Sequence, residues 1–497
     1  MNVLDWAVVA AYLLLMVGIG TWSHRRVATS ADFFTAGGRL PWWLAGISHH
    51  MSGYSAVIFV AYAGVAYDQG IVSYVVFLFP LAFGTGLGAF FIAPKWNRLR
   101  TRYRIASPLE YLAQRYNVTT QQLLAWSGSV LKVFDVAAKW SAIALLLNGF
   151  VGIPVQWGIL VTAAVTLVYC TAGGLLADAL TEFGQFLIQG AAALAMIAAV
   201  GAALSAQHLS YLTFWEHLPA GHTSPTSSTY PTYFLLAYLV VKTFEYNGGM
   251  WNLAQRYIAT PDARQARRTA LLSSALYLVW PIVLMLPMFA APLLVRLPDP
   301  EQAYPRMALE FLPPGLLGLV VVGVFSHTMA MAASDATAVS SVLTRDVLPR
   351  LVRRVSFEQA RSLRAARVLT VAFVALSVVI ALNAQALGGV LSLIVAWVGA
   401  LIGPLSIPMI LGMLRPFRHV GPAGAISSWA GGLVTYGLTK YAWGLSEATT
   451  VACPVLVSLL LFLVVGALRR DAPPAADEIT AALADDEPRP APEPEPL

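Results

Sequence analysis

The stretch GISHHMSGYSAVIF, residues 46–59, lies inside a long apolar run yet puts Ser52, Gly53 and Ser55 at its middle. Glycine is common in membrane helices, and close helix packing ordinarily explains one or two of them. A second weakened stretch, FEYNGGMWN (244–252), comes five apolar segments later and carries the pair Gly248-Gly249. Two such interruptions in corresponding positions are the expected sign of inverted repeats. In that architecture, unwound backbone at the bilayer midplane offers carbonyls to a cation and half-helix ends to a solute.

The rest of the chain reads as integral membrane protein. It is 58% hydrophobic and only 11% charged, with mean hydropathy +0.68, whereas a soluble protein has roughly a quarter of its residues charged. Segments of about 20 apolar residues can cross a bilayer. Thirteen are predicted, over residues 3–22, 42–66, 71–93, 122–150, 154–172, 179–205, 230–250, 269–295, 315–340, 368–384, 388–413, 421–443 and 449–467. Of the 31 Lys and Arg residues, 25 fall in alternate gaps: 23–41, 94–121, 251–268, 341–367, 414–420 and the tail after 467. The intervening gaps hold only Arg296, Arg306 and Lys440. Basic loops stay cytoplasmic, so the N-terminus is expected outside, the C-terminus inside, and the number of crossings odd. The first segment is not expected to be a cleaved leader, because it lacks a basic start, carries Asp5 and outruns a signal core. The net charge of +6 then sets topology and touches anionic lipid rather than nucleic acid. Cys170 and Cys453 both fall in apolar segments and imply no disulfide or metal framework. The tail 471–497, with seven prolines and eight acids, cannot bury a core and is expected to be disordered.

Polar groups at membrane depth cost a few kcal/mol each unless paired or hydrated, so their positions are informative. Lys132, Asp135 and Lys139 share one helical face at i, i+3 and i+7. They form either a buried ion-paired packing face or a lining of the transport path. Lys242 and Glu245 are spaced to pair with each other. Asp335 lies beside Ser334 and Thr337. His49, His50 and His327 are packing residues or proton carriers, since an imidazole titrates near physiological pH.

Six motifs in order resemble the sodium:solute symporter family: DFFTAGGRLPWWLAGIS (32–48), ASPLEYLAQRY (106–116), TAGGLLADALTEFGQ (171–185), NLAQRYIATPDARQARR (252–268), AYPRMALEFLPPGLLGLV (303–320) and GPLSIPMILGML (403–414). The resemblance implies an all-α membrane protein of thirteen transmembrane helices, ten of them arranged as a LeuT-like five-plus-five inverted repeat. Residues 1–23 are then a first peripheral helix. Residues 42–250 carry the first repeat and the start of the second, 230–413 the second repeat, 421–467 two peripheral helices, and 468–497 a disordered cytoplasmic tail. The resemblance also implies a sodium site built from backbone carbonyls of the broken second segment and hydroxyls of the ninth. With Thr344-Arg345-Asp346 fixing the register, the carbonyl positions become Met51 and Tyr54. The two hydroxyl positions become Ala330 and Met331, and a small residue three before them becomes His327. Glu182 stands where the family usually has Asp, a group tied to a second cation site in some members. Sodium wants oxygen ligands, as other hard cations do, and alanine and methionine side chains supply none.

The expected function is cation-coupled symport of a small polar organic solute, sugar-like or an organic acid, by a plasma-membrane protein acting as a monomer. Beyond a coupling Na⁺ no cofactor is expected. Solute-site candidates are Ser52, Gly53, Phe77, Lys139, Gly249, Trp251 and Tyr277, between the second, third, fourth, seventh and eleventh segments. Alternatives are a proton-coupled carrier, with His49, His50 or His327 carrying the proton, an uncoupled carrier of the same fold, or a transporter-derived sensor. An enzyme is not expected, for no HExxH, GxSxG or cysteine–histidine pattern occurs.

Overall fold

A computed structural model describes residues 1–24, 29–351, 359–387, 393 and 398–484. The principal helices in chain order are α1 (Val3–His24), α2 (Trp42–Met51), α3 (Phe79–Phe91), α4 (Ala93–Tyr103), α5 (Val118–Val151), α6 (Val155–Ala206), α7 (Thr232–Phe244), α8 (Trp251–Ile258), α9 (Ala263–Leu294), α10 (Leu316–Val342), α11 (Gln359–Leu382), α12 (Ile407–Leu411), α13 (Pro422–Gly437), α14 (Glu447–Arg469) and α15 (Pro474–Ala484). Among the described residues six helical stretches are long and apolar enough to cross a membrane: 73–91, 174–206, 263–294, 316–351, 363–382 and 449–469. Several other predicted segments are bent or broken, which shortens their helices. α5 and α6 meet at a bend of 119°. α6 itself is kinked at Gly174, whose φ of 57° brings its backbone against Phe33. Much of the eleventh predicted segment, 388–392 and 394–397, lies outside the described residues.

α10 is the central helix. From Leu317 to Val342 nearly every side chain is buried, with α6, α1, α5 and α11 packed around it. The surrounding helices expose Leu, Val and Phe outward, as at Phe90, Leu194, Val279, Val379 and Leu460, which suits a lipid-facing perimeter. α1 is strapped across the start of α10. Asp5 accepts hydrogen bonds from the N–H groups of Gly315 and Gly318 at 2.7 and 2.8 Å, supplying partners that a helix N-terminus lacks.

Contacts also join segments that the charge pattern assigns to one side. Arg115 donates to the carbonyls of Gly412, Phe417 and Val420, and Arg345 pairs with Glu110 at 2.9 Å. At the opposite end, Ile71 N–H donates to His222 O and Tyr67 Oη to Val295 O.

Two expectations are corrected. Residues 474–484 of the supposedly disordered tail form α15, with Ala476, Ile479, Thr480 and Leu483 buried; residues 485–497 lie outside the described set. Arg256, counted among loop cations, is fully buried, because α8 turns it toward the acidic face of α6.

Candidate functional site

The two interruptions occur where the sequence has them, and they touch. α2 ends at Met51, and regular helix resumes only at Val57. α7 gives way to a wide turn over Glu245–Gly249, with Gly248 at φ 134° and Met250 extended, before α8 begins. Tyr246 donates its hydroxyl hydrogen to Gly53 O, and Asn252 Nδ2 donates to Ser52 O at 3.2 Å. Gly53 has no room for a side chain: a Cβ would overlap the Tyr277 hydroxyl and lie 3.0 Å from the Tyr246 ring. Unwound backbone at this depth is supportable only because protein surrounds it.

Around this junction lies an aromatic and imidazole cluster. Tyr277 Oη donates to His49 O at 2.7 Å, and its ring lies 4.9 Å from that of His50 and 5.8 Å from that of Tyr54. His49 Nδ1 is 2.6 Å from Ser273 Oγ, and its Nε2 is 2.9 Å from Tyr257 Oη. His50 Nε2 is 2.7 Å from Tyr54 Oη. From here an aromatic run leads toward one end of the molecule. Lys242 Nζ sits 5.4 Å from the Tyr246 ring and 4.8 Å from the Tyr238 ring, and it pairs with Glu245 at 2.6 Å. Tyr238 meets Phe77, which also stacks on Tyr62 and meets Tyr230 and Phe234.

Beneath the break in the second segment is a charge cluster that sequence reasoning did not assemble. Arg256 Nη2 lies 2.7 Å from Asp178 Oδ2 and 3.2 Å from Glu182 Oε2. Ser334 donates to Asp178 at 2.6 Å, while Ser48 and Ser52 donate to Glu182. All six side chains are buried. The available signal was Asp178 and Glu182 at i and i+4 in an otherwise apolar span, an arrangement that asks for a buried cation. The second charge cluster was half legible. Lys132 bridges Asp135 at 3.0 Å and Asp335 at 2.7 Å, and Lys139 bridges Asp135 at 2.7 Å and also Asp335. Two ammonium groups and two carboxylates thus alternate in a closed ring between α5 and α10.

The seven solute-site candidates therefore divide. Ser52, Gly53 and Tyr277 meet at the junction, and Phe77 joins it through the aromatic run. Lys139 is committed to the ion ring. Gly249 is pressed by Ser406, and Trp251 packs on Gly128.

At the ninth-segment positions, Ala330, Met331 and His327 are buried. His327 lies against the Met51 backbone and 4.8 Å from the Tyr54 ring. The hydroxyl nearest these positions along α10 is that of Thr328, which accepts from Ala56 N–H at 3.1 Å, and Ser334 further on is engaged by Asp178 and Arg256. This set of imidazole, methyl and thioether side chains does not fit a sodium ion, which needs several oxygens.

A family model for the sodium:solute symporter family matches residues 33–432. The sodium/sialic acid symporter SiaT of Proteus mirabilis is 24% identical over 369 residues, covering 70% of this chain and 72% of the relative. The human sodium/iodide cotransporter is 26% identical over 466 residues, covering 88% and 70%. A solved substrate-bound, outward-open Na⁺-coupled sialic acid symporter superposes with a TM-score of 0.80 over 95% of this chain and 99% of that one, at 20% identity. That likeness shows the fold. These relatives are transporters rather than enzymes.

Proposed function

The chain belongs to the sodium:solute symporter family, and on that premise we propose that it is a secondary active transporter that couples a cation gradient to uptake of a small polar organic solute. The observation that carries this reading is the contact between the two interruptions, Tyr246 on Gly53 O and Asn252 on Ser52 O. Alternating access needs two half-helix pairs that share one site and rock against each other. Thirteen spans in a five-plus-five inverted repeat, an outside N-terminus and a cytoplasmic C-terminus belong to the same reading. The solute occupies the junction lined by Gly53, Tyr246 and Tyr277 and reaches it along the Phe77–Tyr238 run. Those rings suit the apolar face of a sugar-like solute, and Lys242 with Glu245 suits its polar groups.

The relatives carry solutes as different as sialic acid and iodide, so membership leaves the solute open. Uptake into proteoliposomes tests the reading, with Na⁺ and pH gradients imposed separately over sugars, amino acids and organic acids. Gradient-stimulated uptake of one class above that of empty liposomes is expected. No stimulation by either gradient across the panel overturns it.

Membership supports sodium as the coupling ion, but the residues at the ninth-segment positions argue for weak binding there. Two missing buried oxygens at about 1–3 kcal/mol each correspond to roughly thirtyfold or more in affinity. We infer little Na⁺ dependence at ordinary Na⁺ concentrations. A proton-driven or uncoupled carrier is the second reading, favoured by His327 standing where the family has a small residue.

A further inference from the structure

The one described piece of the C-terminal tail is docked, and the surface it docks on leads to the interrupted seventh segment. α15 buries Ala476, Ile479, Thr480 and Leu483, the i, i+3, i+4, i+7 face of an amphipathic helix. Its last turn presents carbonyls that lack partners within the helix, and cations of α4 meet them. Lys95 donates to Leu483 O at 3.2 Å, Arg98 to the same oxygen at 2.5 Å, and Arg102 to Ala482 O. The helix dipole favours positive charge at this end. Arg418 adds an exposed pairing with Asp477 at 3.4 Å.

The opposite face of α4 grips the backbone at the two ends of α8. Trp96 Nε1 donates to Asn247 O at 2.8 Å, and its ring closes on Gly248, where a Cβ would lie 2.6 Å from it. Asn97 donates to Thr260 O at 2.5 Å. Arg100 donates to Ile258 O at 2.7 Å and Thr260 O at 2.8 Å. With 3.6 residues per turn, positions 95, 98 and 102 share one side of α4, while 96, 97 and 100 share the other. α4 is thus a two-faced lever. One face holds the tail, and the other holds both ends of the inner half of the interrupted segment.

We propose that α15 is a built-in brake. Docked, it fixes α4 and through it α8. Displaced, it frees α8 to move, so tail docking sets how often the bundle opens at this end. This rests on the transporter reading, since only alternating access requires α8 to move.

The test uses a reporter that needs no solute. In a full-length chain carrying Cys170→Ala and Cys453→Ala, Ser341→Cys puts a thiol on α10 at the position that Gln255 of α8 contacts at 3.1 Å. Its rate of labelling by a maleimide reads how often α8 separates from α10. The rate is compared in the full chain, in a chain ending after Pro473, and in Ile479→Asp, which puts a charge in the docked face. Several-fold faster labelling in both altered chains is expected, with the slow rate restored to the shortened chain by a peptide of residues 474–497. Equal rates in all three chains overturn the proposal. So does fast labelling that the peptide leaves unchanged, which would mark a merely structural role. Because no uptake is measured, failure here is distinct from failure to find a transported solute.

Discussion

Arg256 Nη2 lies 2.7 Å from Asp178 Oδ2 inside a fully buried cluster that also contains Glu182. One guanidinium thus serves two carboxylates, to which Ser48, Ser52 and Ser334 also donate. The cluster joins α2, α6, α8 and α10 at the foot of the break, so its integrity fixes where the unwound carbonyls point. Arg256→Met strands both acids. Removing one partner of a buried pair costs about 3–5 kcal/mol, and a large drop in melting temperature in detergent is expected. Adding Glu182→Gln and Asp178→Asn should recover much of the loss, because no unpaired charge then remains. A triple variant no more stable than Arg256→Met would count against this account.

Lys139 is predicted to matter for stability before it matters for solute. Its ammonium is shared between Asp135 and Asp335, which leaves little of it for a ligand. Lys139→Met should destabilise by about 3 kcal/mol or more. Groups in one network are not additive, so Lys139→Met with Asp335→Asn should cost clearly less than the sum of the single changes. A thermal double-mutant cycle measures this. Additive losses would show that the ring does not act as a unit.

The sequence made the interruptions readable because Gly and Ser stand out within apolar runs, and their effect on a helix is local. The face of Lys132, Asp135 and Lys139 was readable for the same reason, as spacing along one helix. Its completion by Asp335 was not, since the partner lies 196 residues from Lys139 and nothing local connects them. Arg256 was hidden by its neighbours: it precedes Arg264, Arg267 and Arg268, so charge patterning read the whole stretch as loop. α15 was lost to averaging. Prolines and acids dominate 471–497, whereas Ala476, Ile479 and Leu483 alone keep helical spacing.

Gly53 is the position where the smallest change should do most to function. A methyl there would lie 2.7 Å from Tyr277 Cζ and 3.0 Å from the Tyr246 ring, forcing the two interruptions apart. Gly53→Ala should reduce solute counterflow at least tenfold while leaving the melting temperature within a few degrees. Adding Tyr277→Phe removes the hydroxyl that clashes and should restore part of the activity. Full activity in Gly53→Ala would show that the junction tolerates separation and is not the solute site.

Sodium binding is the property in which this chain should depart from the family pattern. Ala330 and Met331 offer no oxygen, and the imidazole of His327 lies against Met51, one of the two expected carbonyl donors. A ligand that binds only the folded state stabilises it by RT ln(1 + [L]/Kd). A site saturated a hundredfold would therefore add about 2.7 kcal/mol, and one far below saturation adds nothing measurable. Melting of the unmodified protein should be the same in NaCl as in choline chloride at equal ionic strength. Combining His327→Ala, Ala330→Ser and Met331→Ser returns a small residue and two hydroxyls to the face opposite Met51 and Tyr54, and should produce a saturable, Na⁺-specific rise in melting temperature. Saturable stabilisation of the unmodified protein at low millimolar Na⁺ would refute the expectation. It would move the ion to the oxygens of Glu182, Ser334 and Asp178, and Arg256→Met, which removes the cation paired with those carboxylates, should then strengthen that response where the three substitutions on α10 leave it unchanged.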